Sequence, residues 1–438
     1  MRRLVGFHAF EYGEWALNSA GDMAPPLVGA RFMGVTLVQL QTALVWLMLA
    51  SSFVVSIEPA PSDLLFPLVL ATFLTAGLNF SAVTVPLVLY LLLYNFGGLI
   101  SFLEVSSDRK AVMFVITSAY MATAAIFFAC YVAYDSLRRV ELIKSGLVFS
   151  AVVASVIGLA GYFNLAGLGA SLAPLDRAQG LFKDPNVFST YLIFPALMLV
   201  QGLMLGQQKR PILSLVCLLI IVSAIFLAFS RGAWISFIMA STFLVVLTFL
   251  LTPSVRMRSR LIILSISGVL VVAALLAVLL SIPEVRELFL DRFTLVKYYD
   301  AGEKGRFGNQ LNSIPLLLER PLGFGPTYFR VVFGQDPHNV YLNAFSSFGW
   351  IGGISYLLLI ASTILIGFKS ILMRTPWQHY SIVVFCPLMS TIFQGVQIDT
   401  DHWRHFYWLL GLMWGLFAAS MQPPSVKHEQ QKMKSGLR

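Results

Sequence analysis

The stretch QDPHNVYLNAF, Gln335 to Phe345, sets Asp, Pro, His and Asn at the mouth of a long apolar run. Asp and Pro are residue types that start helices. A short carboxylate accepts from free N–H groups, and proline fits the first helical position. Asp336 as N-cap and Pro337 therefore predict a helix start, with His338 in its first turn. Capping gives no use for an imidazole. Its near-neutral pKa suits proton transfer; the alternative is an interfacial histidine bonded to a backbone carbonyl. KDPNVFSTYL repeats the design with Asp184, Pro185 and Asn186.

Two other apolar runs open on a cation. FSRGAW places Arg231 at a predicted helix start, and DTDHWRHF places Arg404 at another. A cation at the positive end of a helix dipole is unfavourable unless something offsets it. Asp399 or Asp401 can offset Arg404 as a salt bridge. Arg231 has no acidic neighbour in sequence, which leaves two readings, snorkelling to lipid phosphate or a bound anion. Beyond His338, residues Asn339, Asn343, Ser346, Gly349 and Gly353 recur at helical spacing and share one face. Small and polar residues on a membrane helix favour close packing, the reading taken for Ser346 and the glycines. Asn339 and Asn343, nearest the helix start, are candidates to line a cavity.

These residues need a scaffold, and composition names it. The chain has 438 residues, of which 58% are hydrophobic and 12% charged. A soluble domain of that size cannot hide so much apolar surface. The apolar runs are long enough to cross a bilayer core of about 30 Å. The expected fold is all-α and polytopic, with about twelve spans over 32–57, 62–80, 82–103, 111–134, 145–167, 186–206, 211–229, 232–251, 261–282, 339–367, 379–397 and 404–421. A long outer loop, 283–338, separates the ninth and tenth. With both termini inside, seventeen Lys and Arg residues fall in cytoplasmic segments and six in short outer loops. The net charge of +9 thus reflects membrane topology and does not point to nucleic acid. Cys130, Cys217 and Cys386 lie in apolar runs and read as packing residues. No cleavable leader is expected at the N-terminus. Residues 1–422 form the membrane domain, and 423–438, after Pro423-Pro424, a basic cytoplasmic tail at the membrane surface.

The long loop is no solvated linker. GRFGNQLNSIPLLLERPLGFGPTYF holds an apolar stretch and then a Pro-Gly turn. It predicts a short helix over 307–319, lying on the membrane or over a cavity. Arg306 and Arg320 flank that helix and are the loop cations expected to face the cavity.

The ordered set GRF, ERPLGFGPTYF and PHNVYLNAFSSFGWIGG resembles the C-terminal signature of the O-antigen ligase and O-antigen polymerase superfamily. The resemblance is close over 305–353, and the twelve-span plan with a late outer loop agrees along the chain. FKDPNVFSTYL and FSRGAWISF also look like segments of its exopolysaccharide-related members. The resemblance implies a multi-pass glycosyltransferase of the bacterial inner membrane. It would take glycan from undecaprenyl diphosphate at the periplasmic face and pass it to lipid A-core or a growing glycan. The family's histidine before the asparagine falls on His338, its loop arginine on Arg306, its turn on Pro321 to Gly325, and its glycines on Gly349 and Gly352. Where many relatives carry an acidic residue before the first glycine, this chain has Phe348.

Transfer from a lipid diphosphate requires an activated hydroxyl and a stabilised leaving diphosphate. His338 can take the hydroxyl proton, and Arg306 and Arg231 can hold the diphosphate as bidentate forks. Arg320, Asn186, Asn339, Asn343 and Arg404 complete the candidate substrate-binding set. No nucleotide loop, zinc spacing or convincing acidic pair for a divalent ion is present, so no cofactor is expected. Asp399 and Asp401 come nearest and are read as partners of Arg404. The rival class, a polysaccharide or lipid-linked oligosaccharide flippase, usually places ionisable groups inside its spans; these spans carry essentially none. A third class, a scaffold for a polysaccharide assembly complex, would leave His338 dispensable.

Overall fold

The computed structural model describes residues 31–32, 35–105, 108–293, 302 and 305–422. The tail at 423–438 lies outside them. Apart from a two-rung pairing of Arg31–Phe32 with Val35–Thr36, the regular structure described is helical. The helices are α1 (Leu37–Ala50), α2 (Pro61–Ala76), α3 (Val85–Ser101), α4 (Arg109–Ala133), α5 (Ser136–Tyr162), α6 (Gly169–Leu172), α7 (Pro185–Leu205) and α8 (Pro211–Leu227). They continue as α9 (Arg231–Leu251), α10 (Val255–Leu280), α11 (Pro283–Phe293), α12 (Arg306–Leu318), α13 (Phe329–Phe333), α14 (Val340–Leu372), α15 (Gln378–Gln394) and α16 (Arg404–Met421).

Each expected span overlaps one helix, namely α1 to α5, α7 to α10 and α14 to α16, with bounds that differ, as where 32–57 meets the 14 residues of α1. Among the described residues, seven helices are long and apolar enough to cross a membrane, and α1, α2 and α8 are apolar but shorter. The break near Asn79 to Ser81 is real. Gly77, at φ +84°, ends α2 in a conformation that L side chains rarely adopt.

Burial sorts the helices. α16 is buried along nearly its whole length, and α10 almost nowhere. α16 packs along α4 at close range. A Cβ at Gly411 would lie 2.4 Å from the Ala125 carbonyl oxygen, and one at Gly415 would lie 2.5 Å from that of Ala129. Glycines four apart therefore let two backbones touch, as small residues do between membrane helices. Phe348, the residue that departs from the family pattern, is fully buried and stacks on Tyr94 of α3 at 4.0 Å. It fills the α3–α14 contact, where a carboxylate would be desolvated.

The ends of the helices join as alternate threading requires. Arg404 at the start of α16 bonds Asp63 at the start of α2, and Lys183 reaches Glu58 at 2.5 Å. At the opposite end Tyr380 bonds Glu141, and Gln201 donates to the His379 carbonyl at 2.7 Å. The loop helix α12 lies at the Arg404 end. Its mid-helix Ser313 is fully buried, whereas Glu319 is exposed. A Glu319→Cys variant, with Cys217 replaced by Ala, is expected to react with a membrane-impermeant maleimide in cells whose inner membrane is intact. Reaction only after that membrane is permeabilised would reverse the topology.

The face read as Asn339, Asn343, Ser346, Gly349 and Gly353 is not one straight helix. α14 breaks at Gly349, at φ +64° and ψ −170°, a region essentially restricted to glycine. The Pro321–Gly325 turn docks into the break. The Trp350 N–H donates to the Pro321 carbonyl at 2.8 Å, and the Phe324 N–H donates to the Ser346 carbonyl at 2.8 Å. The loop thus satisfies backbone groups that the broken helix gives up. A Cβ at Gly349 would sit 2.6 Å from the Pro321 oxygen, so glycine is required there for room as well as for torsion.

Candidate functional site

The helix that follows His338 starts later than its sequence implies, so His338 is not in its first turn. Asn339 is the N-cap of α14, and its side-chain oxygen accepts from the N–H groups of Tyr341 and Leu342, both at 3.1 Å. Asp336 does not cap. It forms a two-pronged ion pair with Arg330 of α13. His338 precedes the cap in the left-handed conformation, at φ +49°. That conformation costs an L residue about 1–2 kcal/mol, and a carboxylate offsets it. The His338 and Asn339 N–H groups each donate to Asp399 at 3.0 Å. The α7 start follows expectation, with Asp184 accepting from the Asn186 and Val187 N–H groups.

Asp399 belongs to the turn between α15 and α16, and that turn gathers the candidate residues. Arg306, the first residue of α12, donates to the Gln397 carbonyl. The Val340 N–H donates to the Gly395 carbonyl at 2.8 Å. Gln394 accepts from Ser236 of α9 at 3.0 Å, and its amide lies against Gly232, the residue after Arg231. The starts of α9 and α12, bearing Arg231 and Arg306, and His338 just ahead of α14 thus converge on residues 394–399.

Beside this turn is a cavity of about 420 Å³, lined by Asp108, Lys110, Phe114, Phe329, Arg330, Asp336, Pro337, Asn343, Asp399, Asp401, His402 and Trp403 among others. Asn343 lines it as expected, donating to Asp401 at 3.1 Å and accepting from Ser347 at 2.8 Å. His338, next in the chain after the lining residue Pro337, is half-buried and is not itself among the lining residues. Burial pushes the Asp399 carboxyl upward, and Asp401 adds to that push, against the opposing effect of the two N–H donors.

His402, the imidazole that lines the cavity directly, has both nitrogens committed. Its Nε2 faces the Phe114 carbonyl at 3.0 Å and its Nδ1 faces Asp401 at 3.0 Å, while Phe114 stacks on the ring at 3.8 Å. A carbonyl only accepts, so Nε2 carries a proton. Burial lowers this group, but Asp401, the Phe114 carbonyl and Asp399 together raise it above the usual imidazole value. Both ring nitrogens are engaged by protein partners, so His402 ties Asp401 to the Phe114 backbone in the cavity lining.

Three expected site residues stand apart from the turn. Arg320 is exposed and lies over the Phe324 ring at 5.5 Å. Asn186 accepts from Arg177 at 3.0 Å, and Arg177 also donates to the Ala228 carbonyl at 2.7 Å, tying α7 to the end of α8. Arg404 is held by Asp63 at 2.8 and 2.6 Å, and not by Asp399 or Asp401 as its sequence neighbours suggested. Asp63 lies 341 positions away, so only folding reveals the pair. It frees Asp399 and Asp401 for other work. Asp399, Asp401 and His402 had a visible signal in DTDHW, but its nearest cation drew the wrong inference.

The described residues define an all-α, multi-pass membrane protein with a cavity lined by charged and aromatic side chains at one end of its bundle. Residues 215–357 match a family model described as O-antigen ligase. The match places that segment, about a third of the chain, in the O-antigen ligase/polymerase superfamily and supports glycan transfer of that general type. It spans Arg231, Arg306, Arg320, His338, Asn339 and Asn343, while Asn186, Asp399 and Arg404 fall outside. No curated protein matches the chain.

Proposed function

We propose that the chain transfers glycan from an undecaprenyl-diphosphate carrier to an acceptor hydroxyl at the periplasmic face of the bacterial inner membrane. The product serves O-antigen attachment to lipid A-core, or growth of an O-antigen or exopolysaccharide chain. The supporting observation is that the starts of α9 and α12, which carry Arg231 and Arg306, and His338 just ahead of α14 meet the end of α15 and the α15–α16 turn, whose Asp399 and Asp401 line a neighbouring cavity. His338 takes the acceptor proton as its oxygen attacks the anomeric carbon. The bond from that carbon to the diphosphate oxygen breaks, and undecaprenyl diphosphate departs with its charge held by Arg306 and Arg231. None of these roles calls for a metal or a nucleotide.

Analysis of carrier-linked glycan in a deletion strain, complemented with wild-type or Arg306→Lys protein, tests the reading. Full-length polymer left on the carrier means ligase; single repeat units mean polymerase. Arg306→Lys replaces a planar fork by a point charge. The loss of one charge-assisted hydrogen bond, about 1.5–3 kcal/mol, predicts transfer roughly ten- to a hundred-fold slower than wild type. Unchanged carrier-linked glycan in the deletion strain would refute glycan transfer. Full complementation by Arg306→Lys would remove Arg306 from the diphosphate site.

A further inference from the structure

The loop helix α12 is turned with its polar side inward. Asn309 donates to the Phe333 carbonyl at 3.3 Å, Gln310 donates to the Pro337 carbonyl at 2.7 Å, and Ser313 is fully buried. Its outer side is apolar. Phe307, Leu311, Ile314 and Leu318, spaced by 4, 3 and 4 along one face, are 53%, 68%, 46% and 66% exposed. A helix lying between the cavity and open solvent would show polar residues on its outer side as well. The two ends of this apolar stripe carry Arg306 and Arg320, and the Trp350 indole of α14 pins its last turn through the Leu317 carbonyl at 2.9 Å.

From this arrangement we infer that α12 is an interfacial helix whose Phe307, Leu311, Ile314 and Leu318 insert into the outer leaflet of the bilayer. An apolar stripe of this kind sinks about 5–10 Å into the headgroup and acyl boundary. The flanking arginines complement lipid phosphates at that depth. The helix also touches the segment that carries His338, through Gln310 and Pro337. Membrane insertion of α12 would therefore set Arg306 and His338 at headgroup level, where a lipid-borne diphosphate lies without leaving the bilayer. The inference deepens the proposed transfer and shares its outer-face orientation, yet its probe reports depth whether or not transfer occurs.

The experiment uses full-length protein with Cys217 replaced by Ala and a single environment-sensitive fluorophore at Leu311→Cys or, for comparison, at Glu319→Cys. The protein is reconstituted in phosphatidylethanolamine and phosphatidylglycerol vesicles, with or without lipids nitroxide-labelled near the headgroup. Insertion predicts a blue-shifted label at position 311 that loses most of its emission to the nitroxide lipid and is shielded from iodide. The label at position 319 should respond to iodide and little to the lipid. Equal iodide access at both positions, with no lipid quenching at 311, would overturn the inference. Shielding at 311 in native membranes but not in the pure lipid vesicles would point to a protein partner and also overturn it. A Leu311→Ser variant that folds and shows the same transfer rate in vesicles as in detergent, relative to wild type, would remove the link between insertion and catalysis while leaving the depth measurement standing.

Discussion

Purified His338→Asn and His338→Gln proteins are expected to lose detectable glycan transfer, with rates lower by about 10²–10⁴-fold, the usual contribution of a general base. Neither amide can accept the acceptor's proton at neutral pH. The asparagine variant is the sharper test, because His338 sits at φ +49° and asparagine is among the residues that tolerate this region. Backbone strain is thereby separated from proton chemistry. Donor binding and thermal stability should stay close to wild type. His402 is not expected to substitute, since both its nitrogens are engaged, by Asp401 and the Phe114 carbonyl. Transfer by His338→Asn protein at near the parental rate would make His338 a positioning residue and send the search for the base elsewhere.

Asp399→Asn is expected to be the next most damaging change, although Asp399 lies outside the segment matched to the family. One carboxylate accepts from two adjacent backbone N–H groups, each at 3.0 Å, and so holds His338 in its left-handed conformation. An amide offers one acceptor oxygen, and its NH₂ opposes the second donor. A buried donor without a partner costs about 1–3 kcal/mol, and the strain at His338 adds about 1–2 kcal/mol once its restraint is lost. A drop in turnover of roughly thirtyfold or more follows, with donor affinity little changed because Arg231 and Arg306 are untouched. Single-turnover transfer and donor binding, measured on the same preparation, check this split. Equal losses in both, or wild-type turnover, would show that Asp399 does not act through His338.

Local chemistry made part of this protein legible from its residues alone. Apolar runs bounded by charge marked every long helix, because a bilayer demands backbone bonds satisfied within each segment. Asp184 capped α7 as read, since its partners are the next two or three N–H groups in the chain. His338 stood out because no helix start needs an imidazole. Tertiary structure alone decided what Asp336 and Asp399 do. By sequence Asp336 was the better cap, but Arg330 holds it, and the helix starts at Asn339 once Asp399 arrives from the α15–α16 turn. The same applies to Arg404, claimed by Asp63 from the far end of the chain. Gly349, read as one contact on a straight face, became a break because the Pro321–Gly325 turn supplies the hydrogen bonds that a continuous helix would have made. Caps and spans depend on neighbours within about one helical turn. Ion pairs, left-handed torsions and broken helices depend on groups that only folding brings within 3 Å or so, at distances where the geometry of a single hydrogen bond decides which partner wins.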